Sequence, residues 1–317
     1  MKTILVTGLA GFIGSFVGAA LKKEGHNVVG VDNFNDYYDV SLKRNRLKTF
    51  HSDTRIYESD LANYAALEKI FQENRIDQIC HIGAQAGVRY SLQNPFVYET
   101  SNNLGTLNLF ELARIHEVKS FVLSSSSSVY GTNKKIPFSV EDNVDHPMSL
   151  YAATKRYDEL LAYTYHHLFQ MRCTVLRLFT VYGPWGRPDM AYFKFTRAIL
   201  EGEPINLYNF GKMKRDFTYI DDVVPGVLAA LERDYPFEIF NLGNSKAIDL
   251  EYFVECLERE LGRKAVKHLA PMQPGDVPET FADIDKSKRM LGFEPKTQIE
   301  EGLKKFVEWY RTYYRAA

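Results

Sequence analysis

A short strand that ends in a glycine-rich turn and leads directly into a helix opens this chain, and it restricts the fold more than any other feature. The apolar run Thr3 to Thr7 is followed by Gly8-Leu9-Ala10-Gly11-Phe12-Ile13-Gly14 and then by a helical pattern. Glycines at these places permit a tight turn and a close approach to a pyrophosphate, and the helix N-terminus offers amide donors. The pattern predicts a dinucleotide site with contacts at Gly8, Gly11, Phe12, Ile13 and Gly14.

The first half of the chain alternates short β-rich runs with helical patterns. The predicted strands are 3–7, 27–31, 76–82, 120–124 and 173–178, and the predicted helices lie near 12–24, 63–74, 95–116 and 150–170. Such alternation predicts an α/β fold of the Rossmann type, a doubly wound parallel sheet with right-handed crossovers. We expect residues 1–180 to form the cofactor-binding domain together with roughly 220–245, where Glu238 to Leu242 resembles a core strand. Residues 181–317 are expected to form a smaller, interleaved α/β substrate domain with helices near 249–261, capped by Gly262, and 299–315.

Composition and charge exclude several classes of protein. The chain has 317 residues, 45% of them hydrophobic, so it can bury a large core. Its 39 Lys and Arg nearly balance its 40 Asp and Glu, which leaves no electrostatic footprint for nucleic acid or an anionic membrane. No apolar run approaches the ~18 residues of a membrane span and no signal-peptide pattern is visible, so we expect a soluble, cytoplasmic protein. Cys80, Cys173 and Cys256 are interpreted as reduced core residues, and no metal site is predicted.

The end of the second predicted strand indicates which dinucleotide is bound. Asp32 closes that strand eighteen residues beyond Gly14. A carboxylate there would accept hydrogen bonds from both ribose hydroxyls and would repel a 2′-phosphate, so NAD is preferred to NADP. A third strand is expected between those at 27–31 and 76–82, without assigned bounds. Asp60 and Leu61 follow it, where they could bracket the adenine, although Asp60 could equally cap a helix.

The fourth predicted strand ends in small residues that would let a cofactor lie across the sheet. His81-Ile82-Gly83-Ala84-Gln85 follows it, and Ala84 and Gln85 are candidate cofactor contacts. Asn102, on the helix beneath, could contact the cofactor or could be a packing or surface amide.

A reaction centre is indicated by hydroxyls at the end of one strand and by Tyr151 and Lys155, which stand four residues apart on the following helix. A phenol in water ordinarily has a pKa of about 10, so Tyr151 alone would be a poor base at neutral pH. The Lys155 charge one turn away would stabilise the phenolate. Tyr151 could then remove a hydroxyl proton from a carbinol while Ser126 holds the same oxygen. Ser127 and Ser128 would supply further hydroxyls to the substrate.

Long, specific motifs resemble the extended short-chain dehydrogenase/reductases of the nucleotide-sugar type over nearly the whole chain, and within them the UDP-glucuronate 4-epimerases. Two short motifs match that family, namely Asp32-Asn33 and Tyr151-x-x-x-Lys155. The first makes Asn33 a further cofactor candidate. The other matching segments are Thr7-Gly8-x-x-Gly11-Phe12-Ile13-Gly14, Asn35 to Asp39, Ala84 to Ser91, Ser127 to Gly131, Phe179 to Met190 and Arg215 to Asp222.

The resemblance implies a tightly held NAD, transient oxidation at C4 of a UDP-sugar, rotation of the 4-keto intermediate and return of the hydride to its other face. Dehydratases of the family carry Asp-Glu at the positions of Ser127 and Ser128, and decarboxylases carry a Glu at the second. Two serines here favour simple epimerisation.

A glucuronate substrate would need its carboxylate restrained, because oxidation at C4 makes a β-keto acid that loses carbon dioxide readily. Arg187, in a Gly/Pro-rich loop after a strand, offers a planar fork for a carboxylate, and Thr180 offers a hydroxyl. The matching Thr and Arg occupy the carboxylate site in related epimerases, so chemistry and resemblance agree; the alternative is a solvent-facing loop arginine. Arg89 could pair with a carboxylate or with cofactor phosphates.

The UDP half of the ligand has candidates in the second half of the chain. Arg215 matches the family's diphosphate-binding arginine. Many relatives carry a second arginine where this chain has Gln273, so that contact is left open. Asp276 could contact ribose or cap a turn, and Tyr208 could stack on uracil or lie in the core.

Partners and competing functions complete the predictions. In related enzymes the helices near 95–116 and 150–170 form a four-helix dimer contact, so a homodimer is expected, with a monomer as the alternative. The apolar stripe on these helices comprises Phe96, Leu104, Leu107, Phe110, Leu160, Leu161, Tyr165 and Leu168.

The competing functions are a UDP-glucose or UDP-N-acetylglucosamine 4-epimerase, a UDP-glucuronate decarboxylase and a non-catalytic NAD or UDP-sugar binding module.

Overall fold

Strands and helices alternate through the first half of the chain, as the periodicity predicts. The computed structural model describes residues 1–315. The elements up to residue 169 are β1 (Thr3–Thr7), α1 (Phe12–Lys23), β2 (Asn27–Asp32), α2 (Val40–Phe50), β3 (Arg55–Glu58), α3 (Tyr64–Glu73), β4 (Gln78–His81), α4 (Val88–Gln93), α5 (Pro95–Tyr98), a π-helical turn (Glu99–Leu104), α6 (Gly105–Ile115), β5 (Ser120–Ser126), a 3₁₀ turn (Ser127–Tyr130) and α7 (Leu150–Phe169).

The second half is less regular. Its elements are β6 (Arg172–Leu178), β7 (Thr180–Tyr182), α8 (Ala191–Glu201), β8 (Pro204–Leu207), a 3₁₀ turn (Tyr208–Gly211), β9 (Lys214–Tyr219), α9 (Ile220–Arg233), β10 (Phe237–Leu242), β11 (Ala247–Asp249), α10 (Leu250–Leu261), β12 (Val266–Leu269), α11 (Asp285–Leu291) and α12 (Ile299–Tyr314).

Seven parallel strands form the central sheet in the order β10-β6-β5-β4-β1-β2-β3. The chain starts in the middle of this sheet, winds outward to β3, and crosses back to β4 on the other side of β1. This reversal leaves a crevice at the carboxyl ends of β1 and β4, where doubly wound folds bind their ligands. The predicted fold class is confirmed, and the strand predicted at 238–242 is β10 at the edge of the sheet.

Two smaller sheets lie outside the central one. β11, β9 and β7 form a three-stranded sheet, and β12 pairs in parallel with β8. The predicted cap at Gly262 is confirmed, because this residue ends α10 in the left-handed conformation. None of the helices within residues 1–315 is long and apolar enough to cross a lipid bilayer.

The helix predicted over 95–116 is interrupted. Pro95 begins the short α5, and the chain then makes a π-helical turn before α6. The turn places Asn102, which is buried, where its side chain bonds the main chain of Gln85 and the hydroxyl of Thr154. Periodicity did not reveal this turn because one π-helical turn is too short to show a period of its own. Four further helices, α2, α4, α9 and α11, were not predicted.

Candidate active site

One cleft of about 940 Å³ lies above the carboxyl ends of the central strands. Of the 23 residues predicted for the site, 22 line it, and Asn102 does not. The cleft runs from the glycine-rich turn, past Tyr151 and Lys155, to Arg215 near the second half of the chain. The structure therefore brings the candidate cofactor, reaction and substrate residues into one continuous space.

The glycine-rich turn leaves no room for side chains, as a pyrophosphate-binding turn requires. Gly8 has a left-handed φ of +67°, and a Cβ on it would lie 2.7 Å from the Cα of Gly83. A Cβ on Gly14 would overlap the carbonyl oxygen of Gly8. The Gly8 amide donates to the carbonyl of Val31 on the neighbouring strand (2.8 Å), which fixes the turn. Because α1 begins at Phe12, its free amides face the space that these glycines leave open.

Asp32 stands at the end of β2 with both carboxylate oxygens oriented by the main chain. Oδ2 accepts from the Ala10 amide (3.1 Å) and Oδ1 from the Phe34 amide (2.9 Å). Burial raises the pKa of Asp32, while these amides and the charges of Lys43 and Arg46 oppose that rise. Each oxygen retains a lone pair that a ribose hydroxyl could use. The residues present fit a dinucleotide without a 2′-phosphate.

Asn33 and Asp60 form a second polar pair beside Asp32. The Asn33 amide nitrogen donates to Asp60 Oδ2 (2.8 Å), and Asp60 Oδ1 accepts from the Ala62 amide (2.9 Å). Helix α3 is capped by Asn63, whose side chain accepts from the Ala66 amide. Asp60 is therefore not the cap of that helix, and it faces the cleft together with Leu61.

Asn102 acts beneath the cleft. Its Oδ1 accepts from the Gln85 amide (2.8 Å) and its Nδ2 donates to the Gln85 carbonyl (3.1 Å). These two bonds fix the turn that carries Ala84 and Gln85 into the cleft. The structure thus places Asn102 in the packing role that the sequence left open.

The reaction centre is assembled by the end of β5 and the first turns of α7. Ser149 begins α7 by accepting from the Ala152 amide, which sets the position of Tyr151 in the first turn. Lys155 is buried, and its Nζ donates to the Ser124 carbonyl (2.9 Å) and to Asp158 Oδ2 (3.3 Å). The ring of Tyr151 packs edge-on against Tyr98, with centroids 6.1 Å apart.

The serine run divides between the core and the cleft. Ser125 donates to the buried Glu159 (2.6 Å) and so holds β5 against α7. Ser126 accepts from the Ser128 amide (3.1 Å), and the hydroxyls of these two serines lie 3.2 Å apart. Ser127 begins the 3₁₀ turn and also lines the cleft. Three hydroxyls and no carboxylate therefore come from this segment to the reaction centre.

Arg187 lies across the cleft in the loop after β7, where Thr180 also faces the space. Its side chain is 26% exposed, so it is not a solvent-facing loop arginine. Nε and Nη2 form a two-pronged ion pair with Asp189 (3.0 and 2.7 Å), and Tyr37 donates to the same carboxylate (3.2 Å). Burial alone would raise the pKa of Asp189, but the Arg187 guanidinium holds it below its ordinary value. The sequence did not reveal this partner.

Four predicted substrate residues converge at the far end of the cleft. Arg89, from α4, pairs with Asp276 (2.8 Å), and its guanidinium lies 4.2 Å from the ring centre of Tyr208. Arg215 donates to the carbonyls of Lys214 and Pro278. Burial lowers the pKa of Arg215, and Asp276 opposes that shift.

Arg46 is a buried residue that the sequence did not single out. It donates to the carbonyl of Ala10 in the glycine-rich turn (3.1 Å) and to the carbonyls of Trp185 (2.6 Å) and Gly186 (3.1 Å), next to Arg187. No motif includes it, and only its contacts distinguish it from the exposed Arg44 two positions earlier. One guanidinium thus joins the two loops that face each other across the cleft.

Comparisons with known proteins agree with this geometry. The family model for GDP-mannose 4,6 dehydratase matches residues 5–306. An uncharacterised protein of Methanocaldococcus jannaschii is 54% identical over 98% of this chain and 96% of its own length. UDP-glucuronate 4-epimerase 4 of Arabidopsis thaliana is 48% identical over 98% of this chain and 76% of its own length.

Two solved structures share the whole fold. The UDP-glucuronic acid 4-epimerase of Bacillus cereus, in complex with UDP-glucuronic acid and NAD, has a TM-score of 0.92 at 35% identity and covers 98% of this chain and 100% of that one. The UDP-glucose 4-epimerase of Thermotoga maritima, with UDP-glucose, has a TM-score of 0.91 at 32% identity and covers 98% of this chain and 99% of that one.

Proposed function

Because this chain belongs to the GDP-mannose 4,6-dehydratase family, among the extended short-chain dehydrogenase/reductases, we propose that it interconverts UDP-glucuronate and UDP-galacturonate with NAD as cofactor. One observation carries the proposal. The cleft that holds Tyr151 and Lys155 has only hydroxyls at Ser126, Ser127 and Ser128, and it has Arg187 on its opposite wall.

The cofactor site in this proposal is formed by residues 1–180 together with roughly 220–245. The turn at Gly8, Gly11 and Gly14 would hold the pyrophosphate, and Asp32 would hold the adenosine ribose. NAD, when bound, supplies reversible hydride transfer at C4 of the sugar. The fit is supported by the glycine contacts described above, since any Cβ on Gly8 or Gly14 would meet main-chain atoms.

The chain's own residues manage the proton. Tyr151 removes the proton of the C4 hydroxyl and later returns it, which requires a positive charge to stabilise the phenolate. Lys155 supplies that charge from a fixed position, because the Ser124 carbonyl and Asp158 hold its Nζ. Ser126 hydrogen-bonds the same sugar oxygen and keeps it in line.

Arg187 and Thr180 restrain the substrate carboxylate in this proposal. A β-keto acid loses carbon dioxide when the bond to its carboxylate aligns with the carbonyl π system. A guanidinium and a hydroxyl that keep the carboxylate out of that alignment favour epimerisation. Serine at positions 127 and 128 also favours epimerisation, since these positions offer no carboxylic acid for elimination or decarboxylation.

The UDP half is assigned to residues from the 181–317 region, with Arg89 from the first half. Arg215 and Arg89 approach the same carboxylate, Asp276, so a diphosphate arriving there would meet two guanidinium groups. Tyr208 would stack on uracil once Arg89 moves from its ring face. Asp276 would contact the uridine ribose.

The test is proton NMR of UDP-glucuronate with the purified protein and no added cofactor. The proposal predicts a UDP-galacturonate anomeric signal, without release of carbon dioxide. A Tyr151→Phe variant, which keeps the ring and loses the hydroxyl, should show no conversion. A pentose product would identify a decarboxylase instead, and bound NAD with no turnover of any UDP-sugar would identify a binding module.

A neutral-sugar 4-epimerase is the second candidate, and one contact favours it. Asp189 already accepts hydrogen bonds from Nε and Nη2 of Arg187, which leaves fewer N–H groups of the guanidinium for a substrate carboxylate. The Thermotoga maritima likeness points the same way. The same NMR assay with UDP-glucose and UDP-N-acetylglucosamine distinguishes the two candidates by relative rate.

A homodimer is also proposed, since several apolar side chains of the predicted stripe are exposed. Phe96 is 80% exposed and Leu168 60%, with Leu104 and Leu160 also exposed, whereas Phe110 and Tyr165 are buried within the chain. Side chains of this size on two neighbouring helices are typical of a contact surface. Size-exclusion chromatography with light scattering should give twice the mass of one chain. A cytoplasmic location remains a prediction.

A further inference from the structure

Asp158 does not line the cleft, yet its carboxylate contacts the residue that serves the proposed base. It is completely buried on α7, one turn after Lys155, and its Oδ2 lies 3.3 Å from Lys155 Nζ. The Ser124 carbonyl takes a second proton of the same ammonium (2.9 Å). Two of the three N–H groups of Lys155 are thus held by the protein, which leaves one for the cleft.

The groups packed against Asp158 from other elements are uncharged. The Gly83 amide donates to the Thr7 hydroxyl (2.9 Å), and that hydroxyl lies 2.7 Å from His81 Nδ1. The other ring nitrogen of His81, Nε2, lies 2.9 Å from the Thr106 hydroxyl, which lies beside Asp158. Burial holds the pKa of His81 well below its ordinary value, so the ring is neutral.

The second carboxylate on this face of α7 is already neutralised. Both oxygens of Glu159 pair with the buried Arg177, at 2.9 Å each. Burial raises the pKa of Asp158 to about 6, and Lys155 and Thr106 oppose that rise. The Lys155 ammonium, 3.3 Å away, favours the ionised form of Asp158, and the Oδ1 of Asp158 has no hydrogen-bond partner within residues 1–315.

We propose that Asp158 is a positioning residue for the reaction centre, whose carboxylate holds Lys155 and offsets part of its charge. Tyr151 would then lose its proton at a higher pH than beside an unpaired lysine, so its phenolate is the stronger base and its phenol the correspondingly weaker acid. This inference rests on the proposed roles of Tyr151 and Lys155, but not on the identity of the sugar.

The test is an NMR titration of the NAD-bound protein labelled with ¹³C at the tyrosine Cζ. Loss of one signal in Tyr151→Phe identifies the Tyr151 resonance. In Asp158→Asn, which keeps the shape and removes the charge, the Tyr151 midpoint should fall by roughly one pH unit. This is the shift expected for two groups about two turns apart on α7, roughly 10 Å along its axis, at an effective dielectric constant near 20. Asp158→Ala is the second variant, to be used if the asparagine amide disturbs folding, and it should shift the Tyr151 midpoint in the same direction.

Glu258→Gln is the matched control, because Glu258 is a buried carboxylate paired with lysines away from the cleft. It should leave the Tyr151 midpoint unchanged. A midpoint that is equally unchanged in both Asp158 variants would overturn the inference. Since the titration needs no UDP-sugar, it remains informative even if the substrate assignment fails.

Discussion

Replacement of Arg187 by methionine tests how the protein recognises an acidic sugar. In the structure, Nε and Nη2 of Arg187 pair with Asp189, and Nη1 has no protein partner among residues 1–315. A substrate carboxylate would therefore bind chiefly through Nη1. Methionine keeps an unbranched side chain and removes the charge, so the substitution leaves two carboxylates, that of Asp189 and that of the sugar, without their shared cation.

The size of the effect follows from two contributions. Loss of one charge-assisted hydrogen bond costs about 1.5–3 kcal/mol, which is roughly a 10- to 150-fold loss in kcat/KM. Repulsion between two unshielded carboxylates about 6 Å apart adds about 3 kcal/mol at an effective dielectric constant of 20, roughly another 100-fold. We therefore expect Arg187→Met to lose 10³- to 10⁴-fold in kcat/KM for UDP-glucuronate.

The double variant Arg187→Met/Asp189→Asn separates the two contributions. It removes the repulsion and keeps only the lost hydrogen bond, so it should recover roughly 100-fold of the activity. The assay is the NMR rate with UDP-glucuronate, with UDP-glucose as a neutral comparison that should change only a few-fold. Wild-type rates for UDP-glucuronate in Arg187→Met, or equal losses for both sugars, would refute the reasoning.

Three further outcomes are expected. Gly14→Ala should purify without NAD, because its Cβ overlaps Gly8, whereas the exposed control Gly202→Asn should retain it. Burial raises the pKa of Asp216 to about 6, so the native state binds more protons than the unfolded state from about pH 4 to 6. The free energy of unfolding of wild type, measured by urea unfolding, should therefore fall relative to that of Asp216→Asn as the pH rises through that window. Phe96→Asp should yield a monomer by light scattering, and a dimer would argue against that interface.

Local motifs predicted the features that neighbouring residues determine by themselves. The turn at Gly8 to Gly14, the acid at Asp32 and the Tyr151–Lys155 pair each depend on spacing within one strand, turn or helix. Their arrangement around one cleft followed from the order of strands in a doubly wound sheet. The inner strands of that sheet were predictable because they are buried on both faces, whereas the edge strand β3 is largely exposed and its bounds were not predicted.

Pairings between distant or motif-free residues were not predictable. Asp189 lies within a predicted motif, but nothing in its spacing shows that its carboxylate occupies the fork of Arg187. Asp158 resembles any polar residue of a helix until its burial is known. The contact between Arg89 and Asp276 joins residues 187 positions apart, which only the tertiary fold brings together.

The guanidinium of Arg46 has a consequence for engineering substrate range. Trp185, whose carbonyl it binds, adopts a left-handed φ of +62°, which is unfavourable for a bulky side chain and is tolerated because neighbouring contacts over-determine it. Grafting a different sugar-binding loop at 183–190 would remove acceptors from a charge that is completely buried. The buried guanidinium would then keep only the Ala10 carbonyl and the Tyr38 hydroxyl as acceptors, so the graft would also disturb the turn that receives the cofactor. Loop exchange here therefore has to preserve the carbonyls at 185 and 186, and libraries aimed at new sugars are better directed to side chains such as Thr180 that project from fixed strands.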